Sequence, residues 1–516
     1  MRRARTAKTI FLFAGLLALL ALWQIFGTYT ASGQAMMPAP SRLVTQAFAD
    51  RELYWLHGTA TIGSASAGFA IGALAALLAA LSFCLWPALE LALRGVNIAL
   101  FAMPAIVVGP LLVLFLGGGW PQIVLAALMV YFPSMSATLL GLRHIDPRSA
   151  DLVAAYGGGK SALLRHVRMR SALPDLFAGL RVAAPLAVLG AMLGEFGSGT
   201  RWGLGAFLLA ALPQGNPARL WGIGLAAGAI AFAGHVLMLL PERRLAAGSN
   251  PVTLAARLPR AMPGSSGWRK RIVFGLVAVI LPFVLWWLAV TLSHVSPIIA
   301  PGPGRVALFL LGADDRQPER AALLAALGQT LPVALLGLAG GLATAFALAS
   351  LSLLAPVLAR ALLPVAIVAV TMPVVAIIPL VVLVFGRGLP AALAMAVLVS
   401  FFPAYLLLQQ GFASVPRAAA DIVAAYGGGR RTLLFRVAIP HAIGHLFVAA
   451  RLVAPQALLG VMIAEWLLSG TGLGHLLNVS RSRLDYDTIW AGALLSILAS
   501  IFSYEAIGVL ERRLRR

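Results

Sequence analysis

Twelve apolar stretches, each long enough to cross a lipid bilayer, dominate this sequence of 516 residues. The hydrocarbon layer of a bilayer is about 30 Å thick, and an α-helix of about 20 apolar residues spans it. Only 11% of the residues are charged and mean hydropathy is +0.93, which excludes a soluble enzyme, a disordered chain and a secreted disulfide scaffold. We expect an all-α polytopic membrane protein. The predicted spans are 10–26, 60–85, 92–116, 121–141, 176–197, 219–240, 272–292, 330–354, 361–385, 389–411, 446–467 and 488–509.

The second half of the sequence repeats landmarks of the first half, in the same order and about 270 residues later. The matched landmarks are Met103, Pro104 and Pro110 with Met372, Pro373 and Pro379, the run 154–159 with 424–429, and Glu195 with Glu465. Landmarks that keep this register along most of a chain indicate a tandem duplication. Because each copy has six predicted spans, both copies have the same orientation. We expect a first repeat at 1–240, a basic linker at 241–271 and a second repeat at 272–516.

The chain is strongly basic, with a net charge of +22 from 39 Lys and Arg against 17 Asp and Glu. Cytoplasmic loops of membrane proteins carry an excess of Lys and Arg. If the N-terminus is cytoplasmic, 29 of the 39 basic residues fall on the cytoplasmic side. We therefore expect both termini and the linker in the cytoplasm, and no nucleic acid partner is needed to explain the charge. The single cysteine, Cys84, cannot form an internal disulfide.

A moderately polar segment at 141–175, between the fourth and fifth predicted spans, is matched by a segment at 411–445. In the first copy the pattern predicts a short helix that begins at Ser149 or Asp151 and ends at three glycines. Glycines permit a sharp turn and the close approach of another surface. We expect each segment to present a short helix on the cytoplasmic side.

These segments resemble the EAA loop of importer-type ABC transporter permeases, in which Glu-Ala-Ala is followed by three residues and a glycine. The position of the pattern's glutamate is Val153 or Val423 here, and an aspartate stands two residues earlier in both copies. In that family the short helix docks on a cytoplasmic ATPase subunit. The resemblance implies ATPase-coupling residues at Asp151, Ala154, Ala155, Gly159, Asp421, Ala424, Ala425 and Gly429.

Further stretches are similar to the nitrate, sulfonate and taurine type of these permeases, namely 372–380, 385–388 and 464–466. The resemblance implies a type I ABC importer permease with two parallel six-helix repeats fused in one chain. It implies that the chain lies in the bacterial inner membrane and that it has two protein partners. These are a cytoplasmic ABC ATPase dimer and a periplasmic or lipid-anchored substrate-binding protein. The implied cargo is a small organic solute, either a sulfonate-, nitrate- or taurine-like anion or a pyrimidine like the precursors of thiamine.

Prolines and carboxylates within the predicted spans are candidates for a translocation pathway. Proline breaks a membrane helix, and broken helices at matching places in two repeats point to a pathway. An ionisable group in lipid is costly unless it is paired or faces water. The two glutamates fit either a role in solute gating or a role in capping the glycine-rich loop that follows each of them. The candidates are Met103, Pro104, Pro110, Glu195, Met372, Pro373, Pro379 and Glu465.

Two functional classes other than the ABC permease require different sequence features. A twelve-span secondary transporter coupled to ions is the alternative, although it needs intramembrane carboxylates or histidines along an ion path. A membrane enzyme needs clustered metal ligands, and we expect no metal and no cofactor because the eight histidines have no such spacing within a span. The run 157–161 ends like a phosphate-binding loop but lacks its first glycine. We therefore expect no catalytic site here, and ATP hydrolysis on a separate subunit.

Overall fold

The computed structural model describes residues 20–30, 36–245, 268–312, 315–355 and 371–514, together with positions 357 and 369. Every regular element among these residues is helical. Residues 20–29 form the helix nearest the N-terminus. The helices that follow in the first half are α1 (Pro40–Ala49), α2 (Arg51–Leu85), α3 (Pro87–Ala102), α4 (Ala105–Phe115), α5 (Trp120–Arg143), α6 (Pro147–Ala155), α7 (Ser161–Ser198), α8 (Leu204–Ala211) and α9 (Pro217–Leu245).

The second half has the same order of helices. They are α10 (Trp268–Leu292), α11 (Pro303–Leu311), α12 (Gln317–Leu354), α13 (Val374–Phe385), α14 (Leu389–Ala413), α15 (Arg417–Ala425), α16 (Arg430–Leu467), α17 (Leu473–Ser482) and α18 (Tyr486–Leu514). From α4 onward each helix of the first half has its counterpart nine numbers later. The all-α, two-repeat membrane fold predicted from the sequence is confirmed.

Nine of the described helices are long and apolar enough to cross a membrane, and the bent pair α3 and α4 makes a tenth. Two of the twelve predicted spans, 10–26 and 361–385, lie partly outside the described residues. The fifth predicted span, 176–197, is only the C-terminal part of α7, which is 38 residues long and begins in the polar segment. The equivalent helix α16 also has 38 residues.

The third predicted span of the first half, 92–116, is two helices rather than one. The helices α3 and α4 meet at an angle of 106°. Met103 ends α3, and Pro104, which cannot donate a backbone hydrogen bond, precedes the first residue of α4. In the second half Pro373 precedes α13 in the same way.

Glycines allow the spans to pack closely within and between the halves. A side chain at Gly72 of α2 would come within 2.5 Å of the Ala127 carbonyl of α5, and Gly341 of α12 fits against α14 in the same manner. A side chain at Gly95 of α3 would overlap the Ala278 carbonyl of α10. Small residues at such crossings are typical of membrane helices. The first span of the second half is thus packed on the first half, and the two halves share one buried core.

Candidate functional site

The short helices α6 and α15 stand apart from the packed spans, and neither has a buried residue. Their apolar side chains face outward, because Leu152 is 59% exposed, Ile422 60%, Tyr156 84% and Tyr426 90%. All eight residues predicted to couple to an ATPase are exposed: Asp151, Ala154, Ala155, Gly159, Asp421, Ala424, Ala425 and Gly429. Exposed apolar and aromatic side chains that cluster on one short helix and its glycine turn indicate a surface for another protein.

The predicted start of α6 at Ser149 or Asp151 is wrong. The helix begins at Pro147, and Asp146 caps it by accepting a hydrogen bond of 3.0 Å from the backbone N–H of Arg148. Proline suits the first turn of a helix because the N–H that it lacks has no partner there. The extra turn makes α6 nine residues long, the same length as α15.

The glycine turn after each short helix has one strained, one packed and one open position. Gly157 and Gly427 have φ values of +74° and +72°, which favour glycine. A side chain at Gly158 would come within 2.6 Å of a Val153 methyl group, so the valine that replaces the family's glutamate supports the turn. A side chain at Gly159 or Gly429 would meet nothing within 4 Å. Only this third position can be changed without disturbing the turn.

The helix that follows each turn contains one turn of π-helix, at Leu164–Arg168 in α7 and at Leu434–Ala438 in α16. Such turns are rare, and they are frequently found at functional sites. Both lie between the short exposed helix and the membrane-spanning part of the long helix. Nothing in the residue pattern predicts them, because a π-turn changes the helical period by a single residue.

At the other end of α7, Glu195 is buried and accepts two hydrogen bonds. One comes from the Thr61 hydroxyl of α2 at 2.7 Å and the other from the Gly205 N–H of α8 at 2.6 Å. The Thr61 oxygen also accepts a hydrogen bond of 2.8 Å from the Leu204 N–H. A side chain at Gly203 would overlap the carboxyl group. Glu195 therefore caps the start of α8.

Glu465 makes the same cap in the second half. It accepts hydrogen bonds from the Thr330 hydroxyl at 2.8 Å and from the Gly474 N–H at 2.9 Å, and Leu473 donates to Thr330 at 2.8 Å. These contacts fit the second of the two interpretations, a cap for the glycine-rich loop, while solute gating stays a prediction. Sequence reasoning missed both threonines because each lies more than 130 residues from its glutamate.

The broken spans lie where the halves meet, because α4 packs on α16 and α17 of the second half and α13 packs on α9 of the first half. Within the first half, a side chain at Gly197 of α7 would come within 2.7 Å of the Pro110 nitrogen of α4. Met372, which precedes α13, lies against Gly228 of α9, where a side chain would be 3.2 Å from the methionine Cγ. Pro104, Pro110, Pro373 and Pro379 are buried, while Met103 and Met372 are partly exposed. Their role in a pathway stays a prediction.

Ion pairs join the starts of the long helices at the end of the molecule opposite α6. The segments that carry the acid and the base are exchanged between the halves. In the first half Asp50 accepts two hydrogen bonds of 2.7 Å from Arg219 of α9. The Arg219 guanidinium lowers the pKa of Asp50 below its ordinary value. In the second half the arginine, Arg316, precedes α12, and it donates to Asp485 at 2.7 Å and to Asp487 at 3.0 Å.

These features define a class of protein. Two pseudo-equivalent helical bundles, each with broken spans at the shared interface and one exposed helix on a glycine turn, are the architecture of a two-part membrane permease. The chain belongs to the family of binding-protein-dependent transport system inner membrane components. The family's sequence profile matches it twice, at residues 68–247 and 337–516. It is a permease of the ABC importer type, and the comparisons do not support the ion-coupled secondary transporter.

Several bacterial permeases are similar to part of this chain. A probable ABC transporter permease protein of Haemophilus influenzae is 32% identical over 192 residues, which are 37% of this chain and 78% of that protein. The riboflavin transport system permease protein of Chloroflexus aurantiacus is 34% identical over 197 residues, 37% of this chain and 73% of that protein. The formylaminopyrimidine transport permease protein of Halalkalibacterium halodurans is 25% identical over 228 residues, 44% of this chain and 89% of that protein.

Proposed function

We propose that this chain supplies both permease units of an ATP-driven importer, with residues 1–240 and 272–516 acting as these two units and 241–271 as their linker. In this proposal both termini and the linker lie in the cytoplasm. One exposed helix of each unit, α6 or α15, binds one subunit of a separate ATPase dimer. A binding protein outside the membrane delivers the solute to the opposite end.

The observation that carries the proposal is the pair of exposed glycine-turn helices. Leu152 of α6 and Tyr156 directly after it, like Ile422 of α15 and Tyr426 directly after it, present apolar surface outside the spans. Burying a side chain of this size against a partner contributes about 1.5–3 kcal/mol. The long helices α7 and α16 follow directly, so a movement of either short helix is passed into the membrane.

The cargo that we propose is a small organic solute. The names of the relatives include transport of riboflavin, formylaminopyrimidine, aliphatic sulfonates and taurine. Both a sulfonate-like or nitrate-like anion and a thiamine-precursor-like pyrimidine therefore fit the proposal.

The experiment is co-purification of the chain with its ATPase after tryptophan is placed at Gly159 and Gly429 together. A side chain meets nothing at either position, so the double variant is expected to fold and to lose the ATPase. The matched control carries Gly119→Trp and Gly302→Trp, two equally open positions at the opposite end of the spans. The proposal fails if the Gly159 and Gly429 variant retains the ATPase as well as the control does.

A further inference from the structure

Arg481 of α17 reaches from the second half to the first, and no carboxylate within the described residues pairs with it. Its Nη1 donates to the Gly197 carbonyl of α7 at 3.4 Å, and its guanidinium lies 5.7 Å from the centre of the Trp466 ring. Its Nε is buried and makes no hydrogen bond within the described part of the chain. A half-buried guanidinium with a single long hydrogen bond is incompletely satisfied.

Three other arginines in or next to the spans are paired with carboxylates, whereas Arg168 in α7 donates to the Cys84 sulfur at 3.0 Å. Arg181 donates to Glu242 at 2.9 Å, Arg219 to Asp50 at 2.7 Å, and Arg143 to Glu90. A charge in this environment is costly unless it is paired or faces water. No carboxylate among the described residues pairs with Arg481, so its guanidinium is able to donate to an anionic ligand.

Arg481 lies where the second half contacts the candidate pathway residues Pro110 and Glu195 of the first half through Gly197. Gly197, whose carbonyl it contacts, follows Glu195 by two residues and packs against Gly109 and Pro110 of the broken span. A ligand held here would lie between the halves, beside the C-terminal ends of α7 and α16, where Glu195 and Glu465 cap the helices that follow.

The equivalent position of the first half is uncharged. In this region the two copies are offset by 269 residues, since Gly203, Leu204 and Gly205 match Gly472, Leu473 and Gly474 in their contacts. The counterpart of Arg481 is accordingly Leu212, which packs against the hydrophobic core. The cation was therefore acquired or kept by one half alone, and the architecture does not require it.

We propose that Arg481 is a solute-contacting residue that binds an oxyanion group, a sulfonate, carboxylate or nitrate, as the solute passes between the halves. The planar guanidinium offers parallel N–H donors that match two oxygens of such a group. The inference rests on the proposed function and selects the anionic class from its two solute classes. An uncharged pyrimidine offers no charge to satisfy Arg481.

The test uses the full chain in lipid nanodiscs and two probes of similar shape, anionic methanesulfonate and neutral methanesulfonamide. We expect methanesulfonate alone to raise the thermal unfolding midpoint of the unchanged protein. In Arg481→Gln the apparent affinity for methanesulfonate is expected to fall about tenfold or more, as for the loss of a charge-assisted hydrogen bond. Arg483→Gln removes an exposed charge two residues away and is expected to change nothing.

The proposal is overturned if both probes stabilise the unchanged protein equally or not at all, or if Arg481→Gln binds methanesulfonate as well as Arg483→Gln does. Arg481→Lys covers the case in which the glutamine variant does not fold, and it must retain the preference for the anion. Co-purification with the ATPase separates the two proposals. Lost anion binding with intact ATPase association overturns this inference alone, whereas failure of the unchanged chain to bind its ATPase overturns the proposed function.

Discussion

At the residue scale, one threonine in each half satisfies a buried carboxyl group and a helix start together. Thr61 donates to Glu195 while it accepts from Leu204, and Thr330 does the same for Glu465 and Leu473. A buried polar group without a partner costs about 1–3 kcal/mol. The duplication predicts that the two glutamates are equivalent, but the threonines could not be predicted, because nothing local in the sequence links them to residues in a distant helix.

We expect Thr61→Val to lower the free energy of unfolding by about 2 kcal/mol, because valine keeps the shape of threonine but leaves the Leu204 N–H and one bond to Glu195 unmet. Thr59→Val is the control. The Thr59 hydroxyl is exposed and bonds only to carbonyls of its own helix. Denaturant titration of the purified protein measures both, and equal stabilities of the two variants would contradict the role given to Thr61.

At the element scale, ion pairs join α9 to the start of α2 and α18 to the start of α12, and the positions of acid and base are reversed between the two halves. The acid precedes α2 and the base lies on α9 in the first half, whereas the base precedes α12 and the acids lie before and in α18 in the second. Hydropathy predicts the helices but not this contact, since the partners are about 170 residues apart. The same limit applies to α3 and α4, where the sequence locates the prolines but not the 106° bend.

Reversing the pair in the first half tests whether its sense matters. Asp50→Arg and Arg219→Asp are each expected to destabilise the protein by about 3 kcal/mol, because each leaves a partly buried charge opposite a like charge. The double variant restores opposite charges and is expected to recover most of the loss in a double-mutant cycle. No recovery would show that the pair contributes nothing of its own.

The same pair predicts a pH dependence. The pKa of Asp50 is lower in the folded protein than in the unfolded chain, where it is about 3.9. The stabilisation is therefore complete above that value and is lost as pH falls through the folded pKa. Unfolding measured against pH is expected to show this acid-side loss in the unchanged protein and less of it in Asp50→Asn. The exposed pair Arg51 and Glu52, 3.9 Å apart, serves as a control site with little effect.

At the scale of the whole molecule, the halves are interlocked rather than placed side by side. The helix α10 packs on α3 of the first half, and α9 packs on α13 of the second half. The ring centres of Phe101 and Tyr504 lie 6.0 Å apart across the interface. The repeat and the count of spans predict two parallel bundles. They could not predict which helix crosses to the other half, because an apolar span has the same pattern whichever bundle it contacts.

We expect the two halves, co-expressed as separate chains divided between residues 256 and 257, to purify together through a tag on either one. Gly95→Leu is expected to abolish this association, since a side chain there overlaps the Ala278 carbonyl of α10. Gly63→Leu on α2 meets nothing and faces outward, so it is the matched control. Free halves in the unchanged pair would contradict the interlocked arrangement.

The inequality of Arg481 and Leu212 has a consequence for how evolution can shape such a protein. When one gene encodes both members of a symmetric pair, every substitution appears twice, and a charge placed near the twofold axis faces its own copy. Two fused copies escape that constraint, because the surface that one half presents to the solute can become polar while the surface of the other half stays apolar. A solute with a charged group at one end and a neutral group at the other then has a defined orientation as it crosses, and the two surfaces can change independently.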